Sequence, residues 1–190
     1  MAEAAAAEKP APDVTHADIG IVYATPIEIE PFLQRCERVR NYTERDVVFH
    51  GGRFDQIKIA FARSGMGFAS ARKVTQALLA THSPKWVISA GFAGGLLPEM
   101  QVGDIALAET LIDTHGQECQ LDFSTPSDPA KRLHVGKFLT VDALVRTAAE
   151  KQVLREQYGA ICIDMESLAV AQVCHDTKTR FFAVRALSLI

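Results

Sequence analysis

Ala160-Ile161-Cys162-Ile163-Asp164-Met165-Glu166-Ser167-Leu168-Ala169-Val170-Ala171 starts as a short apolar run rich in β-branched residues and ends as Ala, Leu and Val around a few polar positions. The first half reads as a buried strand and the second as a helix running to about His175. Two carboxylates, Asp164 and Glu166, fall at the junction. In open α/β sheets ligands bind beyond the carboxyl ends of the strands. The positive end of a helix also favours an ionised acid in its first turn. Such a carboxylate accepts two hydrogen bonds at once, which suits neighbouring sugar hydroxyls. The competing reading is that both acids only cap the helix.

Similar units lie to either side. Residues 19–24 form a continuous apolar run, a central buried strand. Thr25 then offers an N-cap and Pro26 a first helical residue, for a helix from Ile27 to about Arg38. Residues 47–52 and 56–62 read as strands joined by a turn. Ser64-Gly65-Met66-Gly67 opens a helix over about 68–81. Further strands are expected at 86–91, 102–108, 134–141 and 181–187, with a helix over 147–158 ending at Gly159. Residues 113–132 are polar, contain Pro126 and Pro129, and read as a loop. Alternating strands and helices with wholly apolar strands define an α/β fold. We expect one domain with a mostly parallel central mixed sheet flanked by helices, over 18–190. Met1 to Ala17, Ala-rich with Pro10 and Pro12, reads as a disordered tail rather than a signal peptide.

Composition narrows the function. The chain has 190 residues, 48% of them hydrophobic and 23% charged, with a net charge of −3. That balance is ordinary for a globular protein and gives no basic excess for nucleic acid. No apolar run approaches the roughly 18 residues of a membrane span. Four cysteines at 36, 119, 162 and 174 form no Cys-x-x-Cys. They suggest neither a disulfide framework nor a zinc site and fit a reducing cytoplasm. No metal or other cofactor is expected.

Several segments together resemble the purine nucleoside phosphorylase and nucleosidase superfamily, nearest to its methylthioadenosine/S-adenosylhomocysteine nucleosidase branch. Asp164-Met165-Glu166-Ser167 resembles the family's Glu-Met-Glu-Ala/Ser segment, and Ser89 to Leu96 followed by Val102-Gly103-Asp104 resembles its Thr-Gly-x-Ala-Gly-Gly-Leu then Val-Gly-Asp signature. The resemblance implies that Glu166 grips the ribose hydroxyls, with Met165 against the sugar. It gives Ala93 and Gly94 to the wall of the sugar and base pocket. Phe92 stands where the nucleosidases commonly carry a small hydroxyl residue. The opening strand and helix resemble the family's Ile-Gly-Ile-Ile-x-Ala-Met-x-x-Glu, which puts Glu28 at the carboxylate that activates water. Glu30 is two residues on and faces elsewhere. Thr140 to Val145 is similar to the segment that holds the purine, with Leu144 in place of the family's aromatic and Val145 beside it. Ser64-Gly65-Met66-Gly67 matches Ser-Gly-x-Gly, and Arg63 beside it is either a phosphate contact or a solvated charge.

Arg185-Ala186-Leu187-Ser188 matches Arg-Ala-x-Ser, which gives Ser188 to the substrate site. Leu189 then stands where the family has its general-acid Asp, and the family's last helix has no counterpart before Ile190. The resemblance thus implies hydrolysis of the N-glycosidic bond of a purine nucleoside. The alternatives are phosphorolysis, with phosphate as second substrate, and a nucleoside-binding protein impaired in catalysis. It also implies a homo-oligomer, commonly a dimer.

Overall fold

The computed structural model describes residues 16–123 and 125–188, with Arg38 described by its backbone alone. The first unit is β1 (Ile19–Tyr23) and α1 (Pro26–Leu33). Thr25 caps α1 and Pro26 opens it, as expected. The helix is shorter than the sequence suggested, because residues from Glu37 turn back as a strand. That strand, β2 (Glu37–Glu44), pairs antiparallel with β3 (Val47–Phe54), which pairs with β4 (Ile57–Arg63). Arg45 and Asp46 carry positive φ of 51° and 60°, as a two-residue hairpin turn requires. Neither residue is Asn or Gly, so the turn leaves little trace in the sequence.

The remaining elements are α2 (Phe68–His82), β5 (Trp86–Gly95), β6 (Ile105–Asp113), β7 (Glu118–Gln120), a 3-10 turn (Pro129–Lys131) and β8 (Leu133–Thr140). They are followed by α3 (Ala148–Tyr158), β9 (Cys162–Asp164), α4 (Ser167–Asp176) and β10 (Arg180–Ser188). The strand expected at 102–108 begins only at Ile105. Gly103 has φ +85°, and Asp104 ties the turn before β6 through the N–H of Gln101, His134 Nε2 and Arg132 Nε. Those donors, the Gln101 N–H foremost, hold the Asp104 carboxyl down at about 2. The presumed loop over 113–132 contains the last residue of β6, all of β7 and the 3-10 turn.

β1 sits between β4 and β5, parallel to both. β5 is long enough to meet three strands, β1 among them. It pairs with β10 on one side, and its end, Gly94 and Gly95, pairs antiparallel with Ile163 and Cys162 of β9. Because β10 also pairs with β6, β6 with β8 and β8 with β9, five strands close into a ring, while β1 and the β2–β3–β4 hairpins extend from it as an open sheet.

Alternate residues of β1 feed two cores, since successive side chains face opposite sides. Val22 joins the layer under α2 and α4, whereas Ile21 and Tyr23 pack with Ile29 and Phe32 of α1. Helix α2 lies so close that a Cβ on Gly20 would sit 2.7 Å from Leu78 Cδ2. Fully burying side chains such as Leu78 and Phe61 contributes about 1.5–3 kcal/mol each. Ala17, assigned to the tail by the sequence, is buried, and its N–H bonds to His82 O. Residues 1–15 lie outside the described part. No described helix is long and apolar enough to cross a membrane.

Candidate active site

The two acids at the β9–α4 junction have separate fates. Asp164, 5% exposed, is the one that caps. Its Oδ2 accepts from Ser167 N and Ser167 Oγ, its Oδ1 takes Thr140 Oγ1 at 2.8 Å, and Arg185 Nη2 reaches Oδ2 at 2.6 Å. Arg185 is itself buried, its guanidinium also donating to Ser89 O, Ser89 Oγ, Val184 O and Ser167 Oγ. Its Nε is buried with no hydrogen-bond partner among the described residues.

Glu166 is left over from capping. It occupies the N-cap of α4, yet its side chain makes no cap bond there. Oε1 instead accepts the N–H of Gly67, the N-cap of α2, at 2.8 Å. Burial, then the charge of Asp164, pushes its carboxyl up, against the pull of the Gly67 N–H and of Arg185. The expected help from the helix terminus is therefore not what governs it; desolvation outweighs the opposing charge and hydrogen bonds.

Glu28 lies in the first turn of α1, just beyond β1. Its Oε2 accepts from Ala24 N and Thr25 N at 2.8 and 2.7 Å, and Oε1 accepts from Phe92 N at 3.2 Å. The carboxylate thus closes the first turn of α1, as in a capping box, and also bridges to β5. Gly91 permits this approach, because a Cβ there would lie 2.8 Å from Oε1. Glu30 is exposed.

A cavity of about 240 Å³ brings these pieces together. Glu28, Glu166, Met165, Gly94, Leu144 and Val145 all line it. A narrower cleft behind it runs between Glu28, Glu166, Ser89 and Arg185, and the charge of Glu28 is felt at Glu166. Two expected site residues are not in the lining. Ala93 is 1% exposed and belongs to the core, because alternation along β5 turns it away from its neighbours Phe92 and Gly94. Ser188 is the strand partner of Gly94, and its Oγ is buried with no partner among the described residues. Leu189 lies outside the described residues. Arg63 is exposed.

The sequence reading named Met66, Val141 and Ala143 only within matched segments, with no role of their own, and did not identify Arg185 as a buried cation. Arg185 had a visible signal: it shares its parity in β10 with Phe181, Ala183 and Leu187, the buried face of that strand. A wider cavity of about 410 Å³ opens beside the first, sharing Met66 and lined also by Gly67, Asp113, His115, Gln117 and Asp142.

An α/β sheet that closes on itself, with an acid-lined cavity beyond the ends of β1, β4, β5 and β9, defines the class. Within it the chain belongs to the phosphorylase superfamily, whose sequence model matches residues 18–188. It is 29% identical over 180 residues to a 5′-methylthioadenosine/S-adenosylhomocysteine nucleosidase of Anoxybacillus flavithermus, covering 80% of this chain and 78% of the relative. It is 25% identical to the enzyme of that name from Staphylococcus epidermidis, covering 90% and 85%. Among solved structures, the Neisseria meningitidis nucleosidase of that name, in complex with methylthio-immucillin-A, superposes with a TM-score of 0.77 at 25% identity, covering 90% of this chain and 84% of the other.

Proposed function

We propose that this chain hydrolyses the N-glycosidic bond of a purine nucleoside of the methylthioadenosine/S-adenosylhomocysteine type. The observation that carries the reading is that Glu28 and Glu166, far apart in sequence, line one cavity. Glu166 has one oxygen on Gly67 N and lone pairs left to accept the ribose hydroxyls. Glu28 accepts the proton of the attacking water as the bond from sugar to base breaks. Leu144, Val145 and Met165 supply the apolar wall for base and sugar. Among the described residues no arginine or lysine lines the cavity, which favours water over phosphate as the nucleophile. The sugar's 5′ group runs past Met66 and Gly67 into the wider cavity. The named relatives support the substrate type. The four free cysteines are consistent with a reducing cytoplasm, and the working state is taken as a homodimer, which sedimentation would check.

The test is release of free base from methylthioadenosine, with and without phosphate. Glu28→Gln should lower turnover by about 10² to 10⁴ with substrate still bound, and Glu166→Gln should weaken binding strongly. Release that requires phosphate would replace hydrolysis with phosphorolysis. Unchanged affinity in Glu166→Gln would remove that residue from the site.

A further inference from the structure

One large side chain of β5 is not used by the cores. Along this strand Ile88 and Ala90 pack into the core that Ile21, Tyr23 and Ile29 build with α1. Side chains two apart in a strand share a face, so Phe92 and Gly94 continue that stripe toward the strand's carboxyl end. Both line the cavity of about 240 Å³. Phe92 is half-buried, yet among the described residues it belongs to none of the three hydrophobic cores and pairs with no other aromatic ring. Among the described residues of the cavity wall it is the one aromatic. Its backbone fixes where it stands. Phe92 N donates to Glu28 Oε1 at 3.2 Å, and Ala186 of β10 is its strand partner. Phe92 is thus pinned beside the carboxylate that takes the proton of the attacking water. The carbon which that water attacks is the one bonded to the base, so a ring anchored here is within reach of the purine. Leu144, where the resemblance expects an aromatic, is 44% exposed and offers no π face.

Resting on the nucleosidase reading above, we infer that Phe92 is the ring against which the purine lies, the base-contacting aromatic of this cavity in place of the one absent at 144. Aromatic rings attract one another in offset-stacked or edge-to-face arrangements. Because every base has a π face, such a contact sets the plane of the base without reading its edge. The ring moves no proton and meets the base alike before and during bond breaking. Binding that is equal in ground state and transition state lowers KM and leaves kcat alone.

The experiment separates base from sugar with the two products of the reaction, adenine and 5-methylthioribose, as inhibitors. Phe92→Leu and Phe92→Met remove the ring, keep an apolar side chain of similar size, and leave the backbone N–H on Glu28. Each should raise KM for methylthioadenosine on the order of tenfold, with kcat within about threefold of the parent, as loss of uniform binding requires. Inhibition by adenine should weaken by the same factor, and inhibition by methylthioribose, which has the sugar and no base, should stay within about twofold. Phe92→Tyr keeps the ring and should hold adenine within about threefold of the parent. Unchanged adenine inhibition in the two ringless variants would overturn the inference. Equal losses for adenine and methylthioribose would also overturn it, because Phe92 would then only shape the wall. So would a fall in kcat at constant KM. A parent protein that releases adenine while any of these results holds loses the Phe92 assignment alone; one that neither binds adenine nor releases it from methylthioadenosine overturns the nucleosidase reading and this inference together.

Discussion

Replacing Asp164 with Asn probes the buried network that carries the β9–α4 junction. Both members of its ion pair are out of water: the side chains of Arg185 and Asp164 are 2% and 0% exposed. Asparagine can still accept from Thr140 Oγ1 through one atom. Its other atom is an NH₂ facing Ser167 N, Ser167 Oγ and Arg185 Nη2, all donors in the parent. The substitution thus leaves a buried guanidinium without its counter-charge. Removing one partner of a buried pair costs about 3–5 kcal/mol, a fifth or more of the roughly 5–15 kcal/mol that holds a domain together. Urea unfolding followed by far-ultraviolet circular dichroism should show a midpoint lower by about 1 M or more, given slopes of about 1–3 kcal/mol per M. The internal control is Lys85→Ala, which deletes an ion pair to Asp18 with side chains 77% and 42% exposed; it should cost no more than about 1 kcal/mol. Asp164→Asn combined with Arg185→Met should lose less than the sum of the single changes, because the orphaned charge is then gone. A loss in Asp164→Asn no larger than that in Lys85→Ala would refute the reasoning.

Gly91→Ala places a Cβ 2.8 Å from Glu28 Oε1 and should lower base release on the order of 10²-fold through displacement of the carboxylate, with a lower melting temperature as well, because that carboxylate also caps α1 and accepts from Phe92 N. Glu166 has a raised carboxyl, so its contribution to stability is present below the ordinary carboxylate range and is lost as pH rises through the raised value. Glu166→Gln should therefore melt above the parent at about pH 7 and by a smaller margin at about pH 4; calorimetric scans in which the margin grows on acidification would contradict this. Leu144, 44% exposed at the cavity rim, should bind methylthioadenosine about two- to tenfold tighter as Phe, since an aromatic pair adds about 0.5–1.5 kcal/mol. Isothermal titration reads that change.

The parts of the fold that the sequence disclosed are those with strong local periodicity. β1, β5, β9 and β10 are apolar runs, and α3 carries a Thr147–Glu150 capping box and Gly159 at its end. What stayed hidden depends on partners distant in the chain. β2 is mostly polar, with only Val39 and Tyr42 to break the run, and is a strand because β3 folds back on it. β7 is three residues held by β6. The start of β6 shifted because Asp104 finds donors on residues 132 and 134. At the site, Glu28 and Glu166 were singled out by the family resemblance, their places beyond strand ends being equally those of helix caps, and both line the cavity. Which acid of the second pair would stay available was not legible, because Asp164 is claimed by an arginine 21 residues further on. The assignment of Ala93 to the wall failed for a simpler reason: in a strand, neighbours in a loop-like glycine motif still alternate sides.

The ring of five strands has an uneven seam. β5 meets β10 over nine residue pairs, but β9 over only two, Gly94 with Ile163 and Gly95 with Cys162. A closed sheet opens first where it is sewn with fewest stitches, and few backbone bonds mean a low cost of local opening. That join stands two residues before Met165 and three before Glu166, and Gly94 forms part of the cavity wall. The fold has thus put the join that costs least to open beside the acid that would hold the sugar.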